Sequence, residues 1–260
     1  MSTYDIFQVD AFASSTFTGN PAAVVPLNEF LTDQKMQEIA AENNLSETAF
    51  FVKKEAPNSY DLRWFTPNGE VRLCGHATLA TAFVINYLSP INSPINFNTK
   101  SGILQVEKVD DRYVLDFPSD KGAPASEQDI KVLDQNLILD IIEGKDDLMI
   151  VTDEESLKKF NPDSELIAKL KFRGLILTSR SEDYDFISRC FYPKYNIPED
   201  PVTGSAHTLL TPYWAMQLKK NKMIAKQISK RGGIITCVYK GSRVSLIGEA
   251  CLYMKGQIYC

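Results

Sequence analysis

One glutamate occupies the position in this sequence that best suits acid–base chemistry. Glu47 follows a predicted helix and begins an apolar stretch, with Leu45, Ala49 and Phe50 close to it. Apolar neighbours desolvate a carboxylate, which raises its pKa toward values that suit a proton relay. The alternative is an exposed loop glutamate without a chemical role, since charged side chains are mostly exposed.

Two glycine-led helix starts are candidate binding sites for an anionic group. The first begins at Gly75 and His76, and the second begins at Gly204 and Ser205, a few residues after Asp200. The free N–H groups at a helix N-terminus attract carboxylates and phosphates, and glycine lets a ligand approach the backbone closely. The alternative is two ordinary helix starts, with Asp200 as a capping residue.

Other common site chemistries lack their sequence patterns. No G-x-S-x-G, G-x-G-x-x-G or P-loop occurs, which argues against hydrolase, nicotinamide, flavin and ATP chemistry. The chain has two histidines, His76 and His207, and no spacing typical of a metal site, so we expect neither a metal nor a cofactor. The five cysteines are widely spaced and odd in number, which favours free thiols over a disulfide framework.

The elements that must position these residues are short strands and a few helices. Apolar periodicity predicts helices over residues 32–43, 76–88 and 205–218. Alternating and β-branched runs predict strands over 4–9, 22–25, 48–52, 61–65, 103–109, 113–117, 172–178, 185–192, 223–229, 234–239 and 243–253.

The second half of the chain repeats the first in outline. Arg63–Pro67 is matched by Arg189–Pro193, 126 residues later, and Gly75-His76 is matched by Gly204-Ser205, 129 residues later. Preserved order at nearly constant spacing favours duplication over chance. With the polar segment 119–124 as linker, we predict one repeat over residues 1–118 and a second over 119–260. An alternative is that the C-terminal strand of the chain completes the first repeat. We expect the site in a cleft between the repeats, lined by both helix starts.

Composition restricts the partners. The chain has 260 residues, with 28 Lys and Arg against 33 Asp and Glu, so a nucleic-acid partner is not expected. No apolar run reaches the ~18 residues of a membrane span, and the N-terminus lacks the pattern of a signal peptide. We therefore expect a cytoplasmic protein that does not bind membranes.

Several motifs occur together and in order, and their combination resembles a known family. They lie at Gln8–Phe12, Thr18–Ala22, Asn44–Phe50, Phe65–Pro67, Leu73–Thr78 and Asp200–Ala206. In this combination the chain resembles the PhzF family of phenazine-biosynthesis isomerases. The resemblance implies an α+β, diaminopimelate epimerase-like fold: two pseudo-symmetric halves, each a curled, mostly antiparallel sheet around a central helix. It also implies a cofactor-free homodimer that acts on a small carboxylated molecule.

The same resemblance implies residue roles. Glu47 corresponds to the family's general acid/base, and Gly75, His76, Asp200, Gly204 and Ser205 correspond to its substrate-binding motifs. The chain departs from the family at Lys230–Gly233, a shortened glycine-rich stretch, and at His207, where an apolar residue is common. These departures leave the substrate open.

The sequence thus predicts an isomerase that moves a proton within a small carboxylated molecule. One alternative is a two-base racemase of the same fold, which needs two facing cysteines. Cys74 precedes Gly75, but Asp200–Gly204 contains no cysteine, so we predict that Cys74 is a buried packing residue. The other alternative is a non-catalytic protein that binds small ligands or serves as a scaffold.

Overall fold

The chain divides into two compact units. We analysed a computed structural model, which describes residues 2–91, 93–125, 132 and 134–260. Unit 1 comprises Met1–Asp116 and Ile247–Cys260, and unit 2 comprises Phe117–Leu246. No helix among the described residues is both long enough and apolar enough to cross a bilayer.

Unit 1 is a mixed sheet with two helices. Its elements are β1 (Thr3–Ala11), β2 (Asn20–Leu27), α1 (Asp33–Asn43), β3 (Glu47–Lys53), β4 (Ser59–Thr66), β5 (Gly69–Val71), α2 (Gly75–Leu88), β6 (Ile95–Thr99), β7 (Gly102–Val109), β18 (Ala250–Tyr259) and β8 (Arg112–Pro118), the last two residues of which belong to unit 2. β18 pairs with β1 antiparallel, so the last strand belongs to the first unit. Beyond β1 the sheet continues through β2 and, in a parallel pairing, β3.

α2 is the central helix of unit 1. It packs against β1, β2, β3 and β18. The helix is apolar around most of its circumference, as expected for a buried helix. Thr78 and Thr81 lie inside this environment because their hydroxyl groups donate to the carbonyl oxygens of Cys74 and Ala77, one turn earlier. α1 buries Met36, Ile39 and Ala40 against strand residues that include Phe50 and Phe65.

Unit 2 contains two short helices, one longer helix and strands in both parallel and antiparallel pairings. Its elements are β9 (Ala123–Pro124), a 3-10 helix (Gln135–Leu137), β10 (Asp140–Glu143), β11 (Asp147–Val151), α3 (Glu154–Lys159), α4 (Ser164–Lys169), β12 (Gly174–Arg180), β13 (Phe186–Tyr192), a 3-10 helix (Pro193–Tyr195), β14 (Ile197–Asp200), α5 (His207–Leu218), β15 (Lys222–Gln227), β16 (Gly233–Tyr239) and β17 (Arg243–Gly248), the last two residues of which belong to unit 1. α5 packs against β15 and β16.

The strands of the two units follow one order of pairings. In unit 1, β2 pairs with β3 parallel, β3 with β4 antiparallel, β4 with β6 parallel and β6 with β7 antiparallel. In unit 2, β11, β12, β13, β15 and β16 repeat that sequence of parallel and antiparallel pairings. The predicted α+β class, a mixed sheet with few helices, is confirmed.

The repeated Arg-x-Phe motif has the same structure in both units. Arg63 on β4 makes two hydrogen bonds to Glu70 on β5, of 2.8 and 2.7 Å. Arg189 on β13 makes two to Glu199 on β14, of 2.7 and 2.9 Å. Each guanidinium also lies over the ring of the phenylalanine two residues on, at 5.2 and 5.1 Å. In both units the motif therefore joins a strand to its short antiparallel neighbour through an arginine–glutamate pair. These two pairs, Arg63–Glu70 and Arg189–Glu199, are called the arginine clamps below.

Candidate functional site

Strand and helix ends bring three chemically active side chains together in unit 1. Glu47 is the first residue of β3, beside the start of the parallel strand β2. Cys74 is the N-cap of α2 and has extended backbone angles. His76 lies in the first turn of the same helix. Because α2 packs on β2 and β3, its N-terminal turn meets the starting ends of these strands.

The resulting group is Asn20, Glu47, Cys74 and His76, called the Glu47 cluster below. Nε2 of His76 lies 2.9 Å from Oε2 of Glu47, and Sγ of Cys74 lies 3.5 Å from Nδ1 of His76. Nδ2 of Asn20 lies 3.3 Å from Nδ1 of His76. The side chains of His76 and Glu47 are 7% and 13% exposed. The cluster is thus nearly buried, with Glu47 at its more accessible side.

The contacts of His76 assign a role to each ring nitrogen. In the neutral ring, with the Asn20 amide as donor, Nδ1 accepts, and Nε2 carries the proton that faces the Glu47 carboxylate; in the imidazolium both nitrogens are donors. Burial opposes charge on this ring, but Cys74 and Glu47 favour the imidazolium, and the pKa of His76 is raised well above its ordinary value. Burial, together with the charge of Glu47, raises the pKa of the Cys74 thiol to about 11.

A second polar group lies in unit 2, around Asp200. It consists of Asp200, Thr203 and Gln227, called the Asp200 cluster below. Thr203 Oγ1 donates to the Asp200 carboxylate, and Gln227 Nε2 donates to the Asp200 carbonyl oxygen at 2.7 Å. Gln227 Oε1 accepts from the Thr203 N–H at 2.8 Å. The amide of Gln227 therefore fixes the turn that leads from β14 to Gly204.

Ser205 is held by an arginine that sequence reasoning missed. Nη2 of Arg173 donates to Ser205 Oγ at 3.0 Å, while Nε donates to Asp147 Oδ1 at 3.0 Å. The guanidinium lies 5.0 Å from the centre of the Tyr192 ring. Because Ser205 Oγ accepts from Arg173, its own hydroxyl proton remains available to donate.

The predicted site residues therefore fall into two groups. Glu47, Gly75 and His76 lie together in unit 1, and Asp200, Gly204 and Ser205 lie along one turn in unit 2. α5 begins at His207 rather than at Ser205, and a turn occupies residues 204–206. Cys74 is buried, as predicted for a packing residue, but it also contacts His76.

Sequence reasoning assigned no role to three further residues, which are Asn20, Arg173 and Gln227. Asn20 stands inside the Thr18–Ala22 motif, so a signal for it was present. Arg173 and Gln227 stand outside every motif, and their roles depend on long-range packing.

Known proteins resemble this chain over nearly its full length. Residues 9–256 match the family described as phenazine biosynthesis-like protein. An uncharacterized isomerase from Pseudomonas aeruginosa is 46% identical over 98% of each chain. A PhzF-family protein of Enterococcus faecalis, known from its crystal structure, superposes with a TM-score of 0.90 at 45% identity, and each chain is covered completely.

A more distant likeness concerns the fold alone. A hydroxyproline epimerase from Agrobacterium vitis superposes with a TM-score of 0.65 at 10% identity, over 98% of this chain and 92% of that one. The diaminopimelate epimerase-like fold that the sequence predicted is therefore confirmed.

Proposed function

The chain belongs to the family of phenazine biosynthesis-like proteins, and on that premise we propose that it is an isomerase that moves a proton within a small carboxylated molecule. Relatives that carry the name uncharacterized isomerase support the general class. The observation that carries the proton transfer is the Glu47 carboxylate, nearly buried and 2.9 Å from the imidazole of His76.

Glu47 is the proposed proton carrier. Its carboxylate takes a proton from one carbon of the substrate, and the electron pair of the broken C–H bond moves into the adjoining unsaturated system. The resulting carboxylic acid returns the proton to a second carbon on the same face. One residue serves as base and then as acid, so no cofactor or second base is required.

His76 and the start of α2 are the proposed charge stabilisers. His76 Nε2 faces Glu47, which keeps the carboxylate in place between its two proton transfers. The first N–H groups of a helix lack acceptors within the helix, and those of Gly75 and His76 are suited to a substrate carboxylate. Such preorganised donors stabilise charge as it develops in the transition state.

Asp200, Gly204 and Ser205 are proposed to bind the substrate as well. Gln227 and Thr203 fix the Asp200 turn, and Arg173 orients the Ser205 hydroxyl, so these groups are preorganised before any ligand binds. The cleft, the homodimer and the cytoplasmic location expected from the sequence stay predictions.

A two-base racemase is the second candidate, and the position of Cys74 favours it. The thiol lies 3.5 Å from His76, within reach of a proton acceptor. Racemisation, however, requires an acid and a base on opposite faces of one carbon, and the Asp200–Gly204 turn carries no second thiol. The two candidates differ in which residue is essential, Glu47 or Cys74.

The experiment is a screen of small cyclic and amino carboxylates in deuterium oxide, read as a mass shift. For a substrate found in this way, Glu47→Gln should lower turnover by at least ~10²–10⁴-fold with binding largely retained. Glu38→Gln, at an exposed position on α1, is the matched control.

Three outcomes distinguish the candidates. Turnover within a few-fold of wild type in Glu47→Gln would remove Glu47 from the mechanism. Loss of activity in folded Cys74→Ala, with Glu47→Gln active, would establish the racemase. Binding without deuterium incorporation into any ligand would indicate a non-catalytic protein.

A further inference from the structure

The Glu47 cluster contains a set of donor atoms that acid–base chemistry alone does not require. Glu47, Cys74 and His76 each offer one ligand atom, and these atoms lie within 4.8 Å of one another. The donors are one oxygen, one sulfur and one nitrogen. We propose that these three residues form a binding site for Zn²⁺, and that the bound ion is an inhibitor of the enzyme rather than its cofactor.

The donor types select the metal. Thiolate and imidazole ligands suit Zn²⁺, whereas Mg²⁺ and Ca²⁺ prefer oxygen ligands. On binding, the Cys74 thiol and His76 Nε2 release their protons to solvent, and the thiolate and the Glu47 carboxylate then carry two negative charges, which balance the charge of the ion. A neutral complex avoids the desolvation cost that an unbalanced buried charge would incur. Three protein ligands also leave the fourth tetrahedral position open for water or a substrate oxygen.

Two of the three donor distances are close to those that a tetrahedral site needs, and the third, between Cys74 and Glu47, is no more than 4.8 Å. Zn–S of ~2.3 Å and Zn–N and Zn–O of ~2.1 Å place neighbouring ligand atoms ~3.4–3.6 Å apart. His76 Nε2 lies 2.9 Å from Glu47 Oε2 and 4.0 Å from Cys74 Sγ. Side-chain adjustments of roughly half an ångström lengthen the first distance and shorten the second to these values, and a shift of about an ångström at most brings the Cys74 sulfur to the Glu47 carboxylate.

Asn20 supplies the outer-shell contact. A histidine that binds zinc through one nitrogen usually donates its other N–H to an oxygen. Asn20 already lies beside Nδ1 of His76, at 3.3 Å. A 180° rotation of the Asn20 amide exchanges the positions of its NH₂ group and its oxygen. The oxygen then accepts the proton on His76 Nδ1.

The bound ion would occupy the atoms that the proposed reaction needs. A zinc-bound carboxylate oxygen and Nε2 no longer exchange protons with a substrate, so Zn²⁺ would stop turnover. This inhibition rests on the proposed function, whereas metal binding itself does not. Removal of the ion by a chelator should restore turnover fully.

The test measures metal binding first, without any substrate. Zinc chloride is titrated into metal-free protein against a chromophoric chelator, and cobalt(II) chloride is added to a second sample for its absorption spectrum. We expect one equivalent of Zn²⁺ and, with Co²⁺, a thiolate-to-metal charge-transfer band. Cys74→Ala should lose this band and weaken Zn²⁺ binding by more than the ~10–100-fold that outer-shell partners usually contribute.

The control variant is Cys260→Ser, which removes an exposed thiol to which no role is assigned. It should keep both the stoichiometry and the band. Cys74→Ser supplies a second variant of similar shape, and circular dichroism establishes that each variant is folded. Equal Zn²⁺ affinity in wild type and Cys74→Ser, or a Co²⁺ complex without the band, would overturn the proposal.

The metal and isomerase proposals can fail separately. Zinc binding without deuterium exchange into any candidate substrate would contradict only the isomerase. Exchange that proceeds unchanged in the presence of saturating Zn²⁺ would contradict only the inhibitory role.

Discussion

The buried His207 should make the stability of the protein depend on pH in a defined window. Its Nδ1 donates to the Thr203 carbonyl oxygen at 2.8 Å, so in the neutral ring Nε2 carries no proton. Nε2 is buried and has no hydrogen-bond partner among the described residues. Burial therefore lowers the pKa of His207 to about 4, from an ordinary value of 6.5.

The sign and size of the effect follow from that difference. Between pH 6.5 and 4 the unfolded chain holds a proton on His207 that the folded chain lacks, so acidification favours unfolding. At ~1.36 kcal/mol per pKa unit, the full loss of stability is about 3 kcal/mol, complete below the folded pKa. Above pH 6.5 the contribution of this group to the pH dependence disappears.

The assay compares urea unfolding of wild type and His207→Phe from pH 8 to pH 4. The phenylalanine keeps an aromatic ring near Phe186, which lies 6.0 Å from the His207 ring, and removes the titrating group. The free-energy difference between the two proteins should shift by about 3 kcal/mol across the range, in favour of the variant at low pH. Thr211→Val, one turn further along α5, is a non-titrating control. A His207→Phe curve that runs parallel to wild type throughout would refute the lowered pKa.

Two further predictions concern stability. Glu70→Gln and Glu199→Gln each leave a partly buried arginine with a weaker, uncharged partner. Each substitution should therefore lower the free energy of unfolding by about 1–3 kcal/mol. Urea midpoints within error of wild type would show that the arginine clamps do not stabilise the protein. Gly19→Ala should cost more than Gly102→Ala, because both positions have positive φ but a Cβ at Gly19 would lie 2.3 Å from the Ala11 carbonyl oxygen, whereas nothing lies within 4 Å at Gly102. Equal unfolding free energies for the two alanine variants would contradict the clash.

Much of the fold was predictable because apolar periodicity records local burial. The three predicted helices occur, and most predicted strands occur with ends displaced by a few residues. The predicted strand over 243–253 is instead two strands, β17 and β18, which are interrupted at Glu249. α3 and α4 were not predicted, because a helix of six residues is too short to show a repeating pattern of apolar residues. The sequence signals for these two helices are their N-capping residues, Asp153 and Asp163.

The sequence suggested which residues to consider for the candidate site, but it did not give the distances between their side chains. The roles proposed for Glu47 and His76 were suggested by their sequence neighbours, yet the 2.9 Å contact between them depends on the parallel register of β2 with β3 and on the packing of α2. Those pairings join segments far apart in sequence, which local patterns do not encode. The three-donor set at Glu47, Cys74 and His76 escaped sequence analysis for the same reason, since metal-ligand spacing is recognised only within short segments.

The two histidines show how residues of one type, each near the start of a buried helix, can acquire opposite properties. His76 and His207 stand near the beginnings of α2 and α5, the equivalent helices of the two units. His76 faces a carboxylate and a thiol, which favour its protonated form, and the pKa of this ring is raised. His207 faces a carbonyl oxygen on one side only, burial dominates, and its pKa is lowered to about 4. The environment, rather than the residue type or the helix start, thus decides whether a histidine can take part in proton transfer. This argument supports the proposal that places the proton chemistry at the Glu47 cluster of unit 1, and it makes His207 a neutral packing residue of unit 2.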